Sequence, residues 1–245
     1  MRTLSATELL GVWERGARQT PPQRALELLA AAEPEVPLDK LLNLSIGLRD
    51  NLLLDLHTRL FGSHLSSVVN CSKCGDFLEL NFNAAEIKPL QASREVPAEF
   101  SAKIHDYDLR FRVPVSRDLA NLTTGLEVDA LRRQLLENCL LGVLQNGRQI
   151  SARELPEDVL ALLEDRIAKT DPGADVRLPI RCPTCNRQWD VGFDIVSFLW
   201  SEIHAWASRL LREVHTLANN YGWSEADILS MHPNRRQRYL EMIGA

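Results

Sequence analysis

Cys71-Ser72-Lys73-Cys74-Gly75 and Cys182-Pro183-Thr184-Cys185-Asn186 are two versions of one phrase. Each opens on a C-x-x-C pair, and each leads into alternating apolar and polar residues. The first continues as Leu78-Glu79-Leu80-Asn81-Phe82 and the second as Trp189-Asp190-Val191-Gly192-Phe193. With the cysteines aligned, Leu78 falls on Trp189, Leu80 on Val191 and Phe82 on Phe193. Alternation at period two is the pattern of a half-buried strand. Short apolar approaches precede both pairs, Val68-Val69 in one case and Val176-Arg177-Leu178-Pro179-Ile180 in the other. Gly75 and Asn186 follow the pairs, and both residue types tolerate the left-handed backbone that a tight knuckle needs. Asn83 and Asp194 close the two copies as matching helix N-caps. The repeated unit is therefore strand, knuckle, strand, helix cap.

Four cysteines in two such pairs are a ligand set for tetrahedral Zn²⁺, with sulfurs at about 2.3 Å from the ion and about 3.8 Å from one another. Cys71, Cys74, Cys182 and Cys185 are accordingly the expected metal ligands, holding one structural Zn²⁺. The competing readings are a metal-free pair of hairpins, a redox dithiol and a rubredoxin-type iron site. Thioredoxin-type chemistry places its C-x-x-C at a helix N-terminus, whereas strands follow both pairs here. Four protein sulfurs leave no open position for a catalytic water. His57, His64, His105, His204, His215 and His232 are scattered, read as surface or core-edge residues, and form no H-E-x-x-H; G-x-S-x-G and P-loop motifs are absent from the sequence. The expectation is a protein that is not an enzyme and has no small-molecule substrate. Cys139, within Leu135-Leu136-Glu137-Asn138-Cys139-Leu140-Leu141, reads as a small buried hydrophobe.

The chain has 245 residues, 45% of them hydrophobic and 25% charged, with a net charge of −5. That composition supports a globular core. The acidic balance does not favour nucleic acid or anionic membrane. No N-terminal signal peptide is recognisable and no apolar run reaches the ~18–20 residues of a membrane span, so a cytoplasmic location is expected. In that reducing setting C-x-x-C pairs point to metal rather than disulfide.

Helical patterns occupy both ends. Thr7–Arg15 is amphipathic, Pro21-Pro22 open a second helix, and Ser45 caps a third that carries Leu48, Leu52, Leu56 and Leu60 and stops at Gly62. Between the knuckles, Ser101–His105 and Asp108–Val113 read as a hairpin turning at Asp106-Tyr107. Ser116 reads as the cap of a short helix, Val128–Leu141 as a helix, Asn146-Gly147 as a turn, and Pro156 as the start of a helix ended by Asp171-Pro172-Gly173. From Ile195, apolar residues recur at Leu199, Ile203, Trp206, Leu210, Val214, Leu217 and Tyr221, which predicts a helix of about 25 residues, ~38 Å long. Ser224 begins another. Arg235, Arg236 and Arg238 on the last helix read as a solvated face, with a protein contact next and nucleic-acid phosphate binding as a further alternative. Trp13, Trp200, Trp206 and Trp223 read as core, with partner anchoring as the alternative.

The expected fold class is α+β, with a split zinc ribbon formed by two C-x-x-C β-knuckles. The expected segments are 1–65 helical, 66–83 the first half of the ribbon, 84–174 an α+β insertion, 175–194 the second half, and 195–245 the long helix and short helices.

The order of motifs carries a resemblance. Leu10-Gly11-Val12-Trp13-Glu14-Arg15-Gly16 is followed by Arg49-Asp50-Asn51-Leu52-Leu53-Leu54 and Leu60-Phe61-Gly62 before the first knuckle. Arg110-Phe111-Arg112-Val113-Pro114-Val115-Ser116-Arg117-Asp118-Leu119 follows, then the second knuckle, Phe193-Asp194-Ile195-Val196-Ser197-Phe198-Leu199-Trp200, His215-Thr216-Leu217-Ala218-Asn219-Asn220-Tyr221-Gly222-Trp223-Ser224 and Arg235-Arg236-Gln237-Arg238-Tyr239-Leu240. This resembles the baseplate hub assembly chaperone family of T-even-type phages, in the form found in prophages and contractile injection systems. The resemblance implies a non-enzymatic assembly factor or minor baseplate component. Its implied partners are hub, spike or wedge proteins of a contractile tail, and its implied locations the cytoplasm or the assembled particle. The alternative function is a zinc-ribbon nucleic-acid-binding regulator.

Overall fold

The computed structural model describes residues 1–87, 99–122 and 125–244. Residues 88–98 and 123–124 of the expected insertion lie outside the described residues. In chain order the elements begin with α1 (Ala6–Gly16), α2 (Pro21–Ala32), α3 (Leu38–Leu42), α4 (Ile46–Phe61), β1 (His64–Asn70), β2 (Phe77–Asn83) and α5 (Ala84–Ile87). They continue with β3 (Phe100–Ile104), β4 (Tyr107–Phe111), α6 (Ser116–Ala120), α7 (Val128–Cys139), β5 (Leu140–Gln145), β6 (Arg148–Gln149) and α8 (Glu157–Thr170). A 3-10 turn at Pro172–Ala174 precedes β7 (Arg177–Arg181), β8 (Gln188–Gly192), α9 (Ile195–Tyr221), α10 (Glu225–Ser230) and α11 (Pro233–Met242). The fold is mixed α+β, with small antiparallel sheets.

The chain divides into two compact units, Met1–Pro34 with Val196–Ala245, and Glu35–Ile195. In the first unit, Ser5 and Glu8 form a reciprocal cap on α1, and Pro21 opens α2 after Thr20. The apolar stripe foreseen from Ile195 is realised as the 27-residue α9. Gly222 ends that helix at φ 69°, a conformation that favours glycine. Trp200 is buried: its ring fills the space above Gly16, and the Arg24 guanidinium lies 4.6 Å over it. Trp200 is therefore a core residue. A second cluster joins Val214, Leu217, Ile228 and Leu240, with Tyr221 and Trp223 stacked at 4.4 Å. The arginine cluster is not one solvated face. Arg236 is 5% exposed; its Nε donates to Glu213 at 3.2 Å and its Nη1 to the Met231 carbonyl at 3.1 Å.

Among the described residues the second unit contains three sheets. The four-stranded sheet, ordered β3-β4-β5-β6, puts Ala102, Ile104, Tyr107, Leu109, Phe111 and Val143 on one face. Leu136 of α7 and Val159, Leu160, Leu163 and Ile167 of α8 belong to the same buried cluster. Each such aliphatic side chain contributes about 1.5–3 kcal/mol through burial. Cys139 sits there fully buried, and desolvation, the largest effect, pushes its thiol up to about 12. It is a packing residue, as its setting implied.

Several local readings need correction. The hairpin turns at His105-Asp106, one residue earlier than expected, because His105 takes the positive φ (54°) between the paired Ile104 and Tyr107. Ser116 is the first helical residue of α6 rather than its cap. The preceding Val115 amide donates to Asp118 Oδ2 at 2.8 Å, and the Arg112 guanidinium grips both Asp118 oxygens at 2.6 and 2.8 Å. The helix foreseen at 128–141 ends at Cys139, where β5 takes over. In α4, Leu56 is buried as expected, but Leu48, Leu52 and Leu60 are only half-buried. Steps of four drift by about 40° each around a helix, so such a row leaves any one face. The buried side instead includes Arg49, Asn51, Leu53, Leu54 and His57. His57 is therefore an interior residue and not a surface one; its ring centroid lies 5.8 Å from that of Phe61.

The N-terminus of α4 carries a long-range lock. Ser45 accepts the Leu48 amide at 3.2 Å, and Asp171, 124 residues away, accepts the Gly47 amide at 2.9 Å. Gly47 and Gly173 permit this approach: a Cβ on Gly47 would lie 2.1 Å from Asp171 Oδ1, and one on Gly173 would lie 3.1 Å from Gly47 Cα. Because α4 leads directly into β1 and the 3-10 turn leads into β7, the lock fixes the entrances of both cysteine hairpins.

Candidate metal centre

Strands β1 and β2 pair along seven residues from His64↔Asn83 to Asn70↔Phe77, and β7 and β8 along five from Arg177↔Gly192 to Arg181↔Gln188. Each hairpin ends in a knuckle, and the two are built alike. The Cys71 amide donates to the Asp76 carbonyl at 2.8 Å and the Gly75 amide to the Cys71 carbonyl at 2.8 Å; the Cys182 amide donates to the Arg187 carbonyl at 2.9 Å and the Asn186 amide to the Cys182 carbonyl at 2.9 Å. Gly75 and Asn186 take positive φ, 76° and 57°. The aligned apolar positions face one another. Leu78, Leu80, Trp189 and Val191 share one cluster, and Phe82 meets Phe193 edge-on at 5.4 Å.

This packing brings together all four cysteines of the two pairs. Their sulfurs all lie within 4.8 Å of one another. Cys71 and Cys185 are 3.6 Å apart, as are Cys74 and Cys182, so each short pair joins one hairpin to the other. Cys71 and Cys182 are buried, Cys185 is half-buried and Cys74 is exposed. The Thr184 hydroxyl donates to Asp76 Oδ2, a second tie between the knuckles. Sequence reasoning gave no sign of this contact, because a threonine at an x position of C-x-x-C carries no recognisable pattern. The Asp171–Gly47 lock was likewise missed, since Asp171-Pro172-Gly173 announces only a turn.

The donor set fits a tetrahedral metal. Sulfurs around Zn²⁺ stand about 3.8 Å apart, close to the separations here. The amides of Cys74 and Lys73 donate toward Cys71 and lower its thiol pKa to about 6. At Cys74 the Asp76 amide pulls downward, but desolvation and the sulfurs of Cys182, Cys71 and Cys185 outweigh it, and the value rises to about 12. Four sulfurs this close, from two hairpins, are an arrangement that one metal ion could bridge.

A family model for the T4 bacteriophage base plate protein matches residues 25–200. The chain belongs to this family. The match spans both cysteine hairpins and everything between them, so the sulfur cluster lies inside the baseplate-family region. No curated protein and no solved structure matches the chain significantly. The expected resemblance thus holds at the level of a phage baseplate protein. Among the described residues no helix is long and apolar enough to cross a membrane.

Proposed function

We propose that this baseplate-family chain is a non-enzymatic assembly factor, or minor structural component, of the baseplate of a contractile phage tail or phage-tail-like injection system. Cys71, Cys74, Cys182 and Cys185 hold one structural Zn²⁺, and the two hairpins around it form a split zinc ribbon. The family match over residues 25–200 carries the baseplate reading. The convergence of four sulfurs from two hairpins carries the metal reading. A four-sulfur shell is closed to water, which favours a structural over a catalytic ion. Its role would be to keep two distant chain segments in one rigid body for docking on a hub, spike or wedge protein.

The nucleic-acid alternative is weakened at the last helix, since Arg236 is buried against Glu213 and Arg238 pairs with Glu241 at 3.0 Å. Mass spectrometry of tail particles and assembly intermediates from producing cells tests the proposal. Recovery in finished particles identifies a component; recovery only with hub, spike or wedge intermediates identifies an assembly factor. Absence from both, or a salt-sensitive gel shift with DNA or RNA in their place, would overturn it.

A further inference from the structure

The two hairpins are copies in backbone and inner face, yet their outer faces have diverged. Alternation sends Val68, Phe77 and Glu79 of β1–β2 outward, and Phe77 is 72% exposed and Val68 59% exposed. The aligned positions of β7–β8 are Pro179, Gln188 and Asp190. A knuckle of this kind therefore folds with a polar residue where Phe77 stands, and Phe77 gains little by burial within its own chain.

The outer face of β7–β8 has the opposite relief. The outward positions Pro179, Arg181, Gln188 and Asp190, with Ile180 and Trp189 between them, line an open groove of about 500 Å³. The charges also differ. The first face carries Glu79; the second carries Arg177 and Arg181, with Asp190 as its anion. Arg177 is paired with Asp175 at 2.9 Å, whereas Arg181 meets the neutral Asn186 side chain at 3.0 Å. Among the described residues neither Glu79 nor Arg181 has an ion-pair partner. An aromatic knob beside an unpaired anion, Glu79, and a groove that holds Arg181 together with Asp190 thus lie on two copies of one supersecondary unit.

We propose that a second copy of this chain docks here, with the outer face of β1–β2 on one copy against the outer face of β7–β8 on the next. Phe77 fills the groove, and Glu79 meets Arg181. The interface is heterologous, because different faces meet. Each added copy leaves one face of each kind free, which generates rings or open filaments. The faces of two-stranded ribbons are smaller than the ~800 Å² per partner of a stable complex, so association in solution is weak and concentration-dependent.

The test uses the full chain purified with its metal. Phe77 is replaced by the photo-crosslinking analogue p-benzoylphenylalanine, cross-linked peptides are mapped, and sedimentation velocity is followed across concentration. The expected result is a cross-link from position 77 to residues 179–190 of a second chain, with a sedimentation coefficient that rises with concentration. Phe77→Gln, which installs the residue of the second copy, raises the dissociation constant on the order of tenfold or more, as loss of a central aromatic anchor does. Glu79→Arg weakens association, and adding Arg181→Glu to the same chain restores it, provided circular dichroism shows both variants folded. The proposal is overturned if the chain stays monomeric without cross-links. It is also overturned if cross-links map elsewhere on the chain or only to a co-expressed baseplate protein, or if the folded charge-swapped variant fails to recover.

Discussion

Removing the Asp171 carboxylate should loosen the unit that holds both hairpins, and the structure gives the size of the effect. Asp171 is 6% exposed and accepts the Gly47 amide at 2.9 Å. Asp171→Ala removes a helix-capping acceptor, costing about 0.5–2 kcal/mol, and strands a buried amide, costing about 1–3 kcal/mol. It also relieves a buried carboxylate whose pKa is raised, chiefly by desolvation against the opposing Gly47 amide, Ser45 hydroxyl and Arg49 charge. The net loss should be about 2 kcal/mol. Gly47→Ala reaches the same contact from the other side. Alanine in a helix normally stabilises by about 0.5–1 kcal/mol relative to glycine. Here its Cβ would sit 2.1 Å from Asp171 Oδ1 and 3.0 Å from the Ala174 amide nitrogen, so the carboxylate must leave and the sign reverses. Once residue 171 is alanine, most of that penalty should vanish, giving a coupling of about 2 kcal/mol in the double-mutant cycle. Native-state hydrogen exchange of α4 amides reads the free energies within this unit. If Gly47→Ala costs the same whether residue 171 is Asp or Ala, the lock does not exist as described.

The same carboxylate sets a pH dependence. Its folded-state pKa lies above the unfolded value, so its contribution is greatest below the unfolded pKa and falls as pH rises through the folded one. Exchange measured from mildly acidic to neutral pH should show that slope, and Asp171→Asn, which keeps an acceptor without the charge, should flatten it without abolishing it, because burial also raises the carboxyl of Asp50 on α4. Gly16→Ala should destabilise α1–α9 packing by about 1–3 kcal/mol, because its Cβ would fall 2.2 Å from Trp200 Cη2; quenched or shifted tryptophan fluorescence with a lower Tm would report it. Arg236→Ala should cost about 1.5–3 kcal/mol by removing charge-assisted hydrogen bonds to the partly exposed Glu213 and to the Met231 carbonyl, and Arg236→Lys should recover only part of it, since lysine cannot reach both; thermal unfolding checks both.

What was legible in the sequence was whatever repeats or obeys a period. The two C-x-x-C phrases sit at equivalent places on equivalent hairpins, and α9 follows the apolar stripe from Ile195 to Tyr221. Glycine and asparagine marked the turns that need positive φ at Gly75, Asn186 and Asn146-Gly147. What was not legible depends on tertiary partners. The burial of Arg49, Asn51 and His57 on α4 follows from how this helix is packed, which a row of leucines does not reveal. Arg236 looked solvated because its neighbours in sequence are, but Glu213 lies on another helix. The Asp171 lock and the Thr184–Asp76 tie join residues more than a hundred positions apart through a few polar contacts, and such contacts leave no periodic trace.

Zinc content and zinc K-edge absorption of the full-length protein, purified without added metal, test the clasp most directly. A single ion held by Cys71, Cys74, Cys182 and Cys185 predicts about one zinc per chain with a first shell of four sulfurs at about 2.3 Å. It also predicts that Cys182→Ser removes most of the bound metal. A chain that carries no metal, or a shell with two sulfurs and light-atom ligands, would contradict a metal that joins the two hairpins.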